Sequence, residues 1–324
     1  MTMSRRTLLH LGAGAAALPA STRLVSAQAY PARSVRVIVP YPAGNASDII
    51  GRLAAQALTD RLGQSFVTEN RPGAGGNTGA ETVARAAPDG YTLLLEVVTS
   101  YAINAAVDPK LSFNFARDFT PVASIGSGTY MLVINPSIPA KTLPEFIAYA
   151  KANAGKLNMA SAGNGTATHV FGELFMMMTG VQMQHVPYRT SFIPDLLGSQ
   201  VQVVFGPISQ LLEYVRSDKL RALGVTAATR EAHLPDVPSI GEVVPGYAAA
   251  GRYGLGAPRN TPAAVVNTIN GAINEALASP ALKSRFADLG IEPAPMTPAE
   301  FSKLIDDELD RWGKVVRAAN IKAE

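Results

Sequence analysis

The sequence contains no cysteine and has few charged residues. Charged side chains make up 16% of its 324 residues, below the roughly 25% typical of soluble proteins. Without cysteine there is no disulfide framework, no thiolate nucleophile and no cysteine-based zinc site. The hydrophobic fraction of 47% argues against intrinsic disorder, which requires low hydrophobicity and high net charge. The length suffices for two domains of roughly 100–200 residues each.

The chain also lacks an excess of basic residues once its first 29 residues are set aside. The whole sequence has 28 lysines and arginines against 25 aspartates and glutamates. Arg5, Arg6 and Arg23 are the only charged residues before Tyr30, so the remainder has 25 residues of each sign. Nucleic-acid binding needs a basic surface. We therefore expect no nucleic-acid partner.

Residues 1–29 have the layout of an export signal. The twin arginine Arg5-Arg6 precedes an Ala/Gly-rich apolar run, and Ala27-Gln28-Ala29 is a small-x-small pattern that a signal peptidase cuts. The run is too short and too rich in glycine for a membrane anchor, which takes about 20 apolar residues, and no later stretch is long and apolar enough. We predict cleavage after Ala29 and a periplasmic protein, by the Tat or the Sec route.

Strand-like and helix-like segments alternate along the rest of the chain. The β-branched run Val35–Tyr41 predicts a buried strand, followed by a helix that starts near Ser47. The alternation β-α-β-α-β with short connections, as far as Leu95, predicts a parallel, doubly wound sheet. Residues Pro121–Pro136 resemble one long strand, after which the alternation resumes. We predict an α/β fold of two units joined by extended crossings, with a ligand cleft and a hinge between them.

Three helices are predicted to close the chain. Each begins at a Thr/Ser-Pro pair, at Thr261, Ser279 and Thr297, the pattern of an N-cap followed by proline at the first helical position. In the last helix, Trp312 belongs to an apolar stripe and is predicted to pack in the core. The acidic run 306–308 is predicted to be a solvated surface, and the methionine run 176–178 to lie in the core.

Catalytic motifs are missing. The sequence has no G-x-S-x-G elbow and no phosphate loop, and the nearest approach to a dinucleotide fingerprint, Gly163–Thr168, fails at its last position. The histidines His10, His169, His185 and His233 lack metal-ligand spacing. We expect a binding protein without cofactor, metal or catalytic residues. An enzyme on a similar two-lobed scaffold and the sensing domain of a regulator remain as alternatives.

Two small polar loops stand where predicted strands give way to helices. Pro42–Asp48 lies in the first half, and Ala160–Thr166 repeats the arrangement in the second. Helix N-termini favour anions by about 0.3–1 kcal/mol each, so two such ends across a cleft could hold an organic carboxylate. Either loop alone would be an ordinary N-cap with a turn glycine. Their recurrence in both halves favours carboxylate binding, with Ser47 and Thr166 as hydrogen-bond donors.

Several motifs carry a family resemblance over essentially the whole mature chain. They are Val39–Gly44 with Asp48, Glu69–Asn77, Ala86–Leu93, Asp118–Val122, His185–Tyr188, Asp195–Gly198 and Leu234–Ser239. In this order they resemble the exported solute-binding subunits of tripartite tricarboxylate transporters, the Bug family. The resemblance implies a two-lobed periplasmic binding protein, type II-like, that closes on a small organic carboxylate. It also implies a monomer that serves membrane subunits of such a transporter or acts as a sensor.

The resemblance also implies lobe boundaries and binding residues. Lobe 1 would comprise residues 30–126 and 251–324, and lobe 2 residues 127–250. The implied ligand-binding residues lie in loops that follow strands: Pro42, Ala43, Gly44, Asn45, Ser47, Asp48, Ser100, Tyr101, Ala162, Gly163, Asn164, Thr166, His169, Arg189 and Asp195.

Three positions in this implied pocket depart from the family pattern. Asn45 replaces a usual glycine, Tyr101 replaces a usual histidine, and the stretch Arg189–Pro194 is about two residues shorter than usual. Because Tyr101 and Phe192 would add aromatic surface to the pocket, an aromatic or otherwise partly apolar carboxylate is favoured.

Overall fold

The computed structural model describes residues 30–108, 111–188, 190–231, 234–318 and 321, so the predicted export signal lies outside the described residues. The strands are β1 (Val35–Val39), β2 (Phe66–Asn70), β3 (Thr92–Val97), β4 (Phe119–Gly128), β5 (Tyr130–Ile134), β6 (Asn158–Ser161), β7 (Gln184–Pro187), β8 (Val203–Pro207), β9 (Arg221–Val225), β10 (Gly251–Pro258) and β11 (Ile291–Pro293). The helices are α1 (Ala46–Leu62), α2 (Asn77–Ala84), α3 (Val98–Val107), α4 (Phe115–Asp118), α5 (Leu143–Ala152), α6 (Ala167–Thr179), α7 (Ile193–Leu197), α8 (Ile208–Arg216), α9 (Ala263–Ala278), α10 (Pro280–Ala287) and α11 (Pro298–Ala318).

The strands form two separate sheets, one for each lobe of the fold. The first has six strands in the order β11-β4-β10-β3-β1-β2, and the second has five in the order β7-β6-β8-β5-β9. Helices flank both sheets, and each sheet has its own buried apolar core. The two-lobed α/β architecture is thereby confirmed.

Both sheets are mixed, whereas the sequence predicted parallel ones. In the first sheet β1 is parallel to β2 and β3, but β10 is antiparallel to β3 and to β4. In the second, β6 is parallel to β7 and β8, but β5 is antiparallel to β8 and β9. The first strand after each crossing, β5 in the second sheet and β10 in the first, runs against its neighbours. The edge strand β11 is also antiparallel to β4.

The predicted long strand Pro121–Pro136 is in fact two strands in two sheets. β4 ends at Gly128 and β5 begins at Tyr130, so the chain crosses between the lobes at Thr129. It returns at Gly251, which is directly opposite Gly128 in the β4–β10 pair. Tyr130 packs on the open face of Gly251, and Tyr253 on that of Gly128. Glycine is favoured there, because a Cβ at either position would lie 3.0 Å from the nearby ring and the ring would have to shift.

The C-terminal helix α11 packs against both lobes. Phe301 and Ile305 near its start belong to an apolar cluster of the first lobe. Trp312 is fully buried, as predicted, but in the cluster that holds the second sheet, where its ring stacks on Phe171 with centroids 5.2 Å apart. The prediction that the whole acidic run is solvated was wrong for Glu308, which is buried and accepts a hydrogen bond from the Trp312 indole at 2.6 Å.

Two other local predictions need correction. Thr261 does not cap α9, because that helix begins at Ala263 with Pro262 in the cap position. Ser279 and Thr297 do cap their helices, accepting from the amides of Leu282 and Glu300. In the methionine run, Met177 and Met178 are exposed instead of lying in the core. No helix among the described residues is both long and apolar enough to cross a bilayer.

Candidate functional site

The first loop, Tyr41–Asn45, is held in shape by Asp48. Gly44 has a positive φ of 83°, and its amide donates to the Asp48 carboxylate at 2.9 Å. Arg52 and Asn70 donate to the same carboxylate at 3.0 and 2.9 Å. Burial by itself would raise the pKa of Asp48, but these hydrogen bonds and the Arg52 charge outweigh it and lower the pKa. Asp48 is therefore an ionised support for the loop.

Asn45 caps α1 instead of extending into a pocket. Its side-chain oxygen accepts from the Asp48 amide at 2.8 Å, the usual role of asparagine at an N-cap. The amides of Asn45, Ala46 and Ser47, together with the Ser47 hydroxyl, make no hydrogen bond within the described part of the chain. The start of this 17-residue helix thus keeps several free donors. Pro42, Ala43 and Gly44 are exposed beside them.

The second loop, Ala162–Thr166, forms its own network of hydrogen bonds. The Ala162 amide donates to Thr168 at 2.8 Å, and the Gly163 amide donates to Ser161 at 3.1 Å. Thr166 donates its hydroxyl proton to the Gly163 carbonyl at 2.7 Å. This bond uses the only proton of the hydroxyl, so Thr166 is not the free donor that the sequence suggested.

Free donors remain at this loop in the backbone. Among the described residues, the amides of Asn164, Ala167 and Thr168 have no hydrogen-bond partner. Ala167 and Thr168 open α6, a helix of 13 residues. The second loop therefore resembles the first in presenting unpaired N–H groups at the start of a long helix.

Asn104 on α3 lies where the second loop approaches the first lobe. Its side-chain amide donates to Gly75 and to Asn77 at 3.1 and 3.0 Å. On the other side, a Cβ added to Gly165 would lie 3.1 Å from its oxygen. Gly75 in turn accepts from Tyr41 at the end of the first loop, at 3.3 Å. Asn104 thus connects the surroundings of both loops, and the sequence analysis missed it.

Ser100 and Tyr101 lie at the start of α3 but have different environments. Burial raises the pKa of Tyr41 to about 12, although the nearby Ser100 side chain opposes the rise. Tyr101 is buried in the first lobe, where it stacks on Phe115 at 4.7 Å. Phe192 is likewise buried, in the second lobe. Neither ring is accessible, so the argument for an aromatic ligand loses its basis.

His169 is buried, and both of its ring nitrogens are engaged within the second lobe. Nδ1 accepts from the Gly165 amide at 3.2 Å, and Nε2 lies 3.3 Å from Glu173. Asp195 accepts from the Tyr188 hydroxyl at 2.6 Å. Arg189 lies outside the described residues. Each of the two helix starts therefore keeps free donors, while His169 and Asp195 have partners inside their own lobe.

No group of three or more histidine, aspartate or glutamate side chains among the described residues could hold a metal ion. The described features are unpaired backbone donors at the start of one helix in each lobe, with the Ser47 hydroxyl beside the first. Together with the two lobes, this arrangement defines a solute-binding protein of the periplasmic class.

Comparison with known proteins places this class in a family. The model of the tripartite tricarboxylate transporter family receptor matches residues 50–321. BugT of Bordetella pertussis is 37% identical over 302 residues, which are 92% of this chain and 93% of BugT. The chain therefore belongs to the tripartite tricarboxylate transporter receptors, a family of periplasmic solute-binding proteins and not of enzymes.

Solved structures agree with this placement. A protein described as a periplasmic transporter has 38% identity and a TM-score of 0.85, covering 91% of this chain and 99% of its own. An R. palustris protein solved with adipate has 33% identity and a TM-score of 0.85, with 90% and 99% covered. MatC of Rhodopseudomonas palustris, solved with bound malate, has 33% identity and a TM-score of 0.80, with 89% and 100% covered.

Proposed function

We propose that this protein is an exported receptor that captures a small organic carboxylate between its lobes. It would deliver that acid to the membrane subunits of a tripartite tricarboxylate-type transporter or act as a sensor. The relatives solved with adipate and with malate support the ligand class.

The observation that carries the proposal is the set of unpaired amides at the starts of α1 and α6. A helix N-terminus attracts an anion through its free N–H groups and the helix dipole, by about 0.3–1 kcal/mol and more when partly buried. Ser47 adds a hydroxyl without a partner among the described residues at the first of these ends. A carboxylate has two oxygens, so one such group could accept from both helix ends at once.

The remaining assignments belong to the same proposal. Residues 30–128 with 251–324, and residues 130–250, would be the moving lobes of a monomer, because β4 continues to Gly128 and the chain crosses at Thr129. Cleavage after Ala29 would make Tyr30 the first residue of the mature chain. The packing of Tyr30 supports this, since its hydroxyl donates to the Gly90 carbonyl at 2.7 Å and its ring lies 5.3 Å from Tyr91.

A thermal-shift screen tests the ligand class. The chain from Tyr30 onward would be heated with adipate, malate, benzoate and the corresponding amides. A ligand at 100 times its dissociation constant adds about 2.7 kcal/mol to stability, or roughly 5–10 °C for a domain of 150–250 residues. We expect a shift with at least one acid and a much smaller one with its amide. Equal shifts from acid and amide would remove the carboxylate from the proposal.

A further inference from the structure

Two histidine rings lie face to face directly behind the second loop. The rings of His169 on α6 and His185 on β7 are parallel to within 6°, with centroids 3.6 Å apart. Each ring is hydrogen-bonded to the Ala162–Thr166 loop or to the residue before it. His169 accepts from the Gly165 amide, and His185 Nε2 lies 2.6 Å from the Ser161 hydroxyl.

The hydrogen bonds define the protonation state that the loop requires. A ring nitrogen that accepts from an amide carries no proton, so His169 must be unprotonated at Nδ1. Its proton is then on Nε2, which faces Glu173 Oε1 at 3.3 Å. A doubly protonated His169 could not accept from Gly165, whose buried amide would then lose its partner.

The second ring is linked to the loop through Ser161. The Ser161 hydroxyl contacts His185, accepts from the Gly163 amide at 3.1 Å and lies 3.1 Å from the Gly163 carbonyl. Burial, together with the adjacent His169, lowers the pKa of His185 to about 3. Two parallel rings at this distance cannot both carry a positive charge, so the pair takes up at most one proton.

We propose that neutral His169 is a positioning residue that fixes the second loop through the Gly165 amide, and that protonation of the stacked pair releases this loop. The expected effect of this protonation on ligand affinity rests on the function proposed above, whereas its expected effect on the loop does not. The family resemblance placed His169 in contact with ligand. The present geometry gives it a role behind the loop instead.

The charges around the pair are few. Glu173 on α6 and His185 on β7 are the ionisable side chains that contact the His169 ring. The strands β6 and β8, which also pack on α6, contain no ionisable residue. From the first lobe α3 contributes Tyr101, which points to Gly76. Helix α11 contributes Glu308, which is bonded to Trp312, and Arg311, which donates to the Ala248 carbonyl and lies over the Trp312 ring.

Nuclear magnetic resonance of the ligand-free protein tests the loop directly. We expect the Gly165 amide to be protected from hydrogen exchange at pH 7.5, and this protection to fall about tenfold by pH 5.5, because a protonated His169 cannot accept from it. His169→Asn keeps an acceptor near the position of Nδ1, so its protection should be similar at both pH values. His169→Leu has no acceptor and should lack protection at both. Protection in wild type that does not change with pH, or that survives in the leucine variant, would overturn the proposal.

A calorimetric titration with malate separates this inference from the proposed function. Wild type should lose roughly two- to tenfold more affinity than His169→Asn between pH 7.5 and 5.5. The comparison between variants cancels the titration of malate itself. Equal losses in the two proteins would contradict the positioning role while leaving the receptor function in place. No malate binding in either protein, with the amide protection as expected, would count against malate as a ligand but not against the loop device.

Discussion

The first loop contains three polar residues with three different tasks. Asn45 caps α1, Asp48 holds the Gly44 amide, and the Ser47 hydroxyl has no hydrogen-bond partner among the described residues. The sequence indicated that all three would face a ligand. Caps and supports cannot be distinguished from ligand donors in sequence, because the same residue types serve all these purposes.

Ser47→Ala should weaken carboxylate binding without lowering stability. A hydrogen bond to a charged acceptor is worth about 1.5–3 kcal/mol, and the hydroxyl has no structural partner to lose. Titration calorimetry with adipate or malate measures the affinity, and thermal unfolding of the ligand-free protein measures the stability.

Asn45→Ala is the matched control for Ser47→Ala. Loss of this N-cap should cost about 1 kcal/mol of unfolding free energy. If Ser47→Ala instead lowers the melting temperature and leaves affinity unchanged, the serine belongs to the helix and not to the ligand site.

Glu96 on β3 is a buried carboxyl group that the sequence analysis did not single out. It is fully buried, and neither of its oxygens has a hydrogen-bond partner among the described residues. Its side chain fills the space above Gly256 on β10. Burial raises the pKa of Glu96 to about 8, so the folded protein favours the neutral acid.

Glu96→Gln should flatten the dependence of stability on pH. Because the folded-state pKa is raised, the stability that this group contributes is complete below pH 4.5 and is lost as the pH rises towards 8. At 1.36 kcal/mol per pH unit, the loss by pH 7 is of the order of 3 kcal/mol. Urea unfolding between pH 5 and 8 measures it, with exposed Glu213→Gln as the control. Parallel curves for wild type and Glu96→Gln would show that Glu96 ionises freely in the fold.

The pairing of β4 with β10 at the crossing between the lobes depends on two glycines. Gly128 and Gly251 face each other where β4 and β10 pair, and the Tyr130 and Tyr253 rings fill the space beside them. Side chains at either glycine would push these rings apart at the point where the lobes join.

Gly128→Ala should destabilise the protein by about 1–3 kcal/mol, the usual cost of overpacking. The new Cβ would lie 2.8 Å from Ile291 and 3.0 Å from Tyr253. The control is Gly271→Ala within α9, where nothing lies within 4 Å and alanine should stabilise by about 0.5–1 kcal/mol. Chemical denaturation compares the two, and a neutral Gly128→Ala would contradict the tight crossing.

Elements with strong local signals were predicted correctly, and those set by the other lobe were not. The helix predicted to start near Ser47 begins at Ala46, and Ser279 and Thr297 cap their helices as expected. Helix α3 was missed, because it follows β3 with no turn residue between them. Without this helix the burial of Tyr101 could not be predicted, because adjacent helical residues point about 100° apart. Its neighbour Ser100 faces Tyr41, while Tyr101 faces the core.

Among the described residues, the lobes are joined by the two crossing strands and by two helices of the first lobe. Ala102 and Ile103 of α3 pack in the cluster of the second sheet, and Trp312 of α11 packs against Phe171. The sequence predicted the crossings from their extended character, but the role of α11 depends on which face of the helix meets which lobe. Tertiary packing determines which face of α11 meets each lobe, and the sequence pattern alone does not show it.

Ligand capture should make the molecule more compact. If an acid accepts from both helix starts, it favours the closed arrangement of the lobes over the open one. Small-angle scattering with saturating malate or adipate should then show a smaller radius of gyration than the free protein. An unchanged curve with an acid that binds would contradict closure around the ligand.

Titration calorimetry of one acid against its own diamide tests whether unpaired N–H groups at the starts of α1 and α6 hold an anionic carboxylate. We predict that malate or adipate binds with saturation at one site, and that the matching diamide, which has the same shape without the charge, binds at least tenfold more weakly. Equal affinity for acid and diamide would contradict the account.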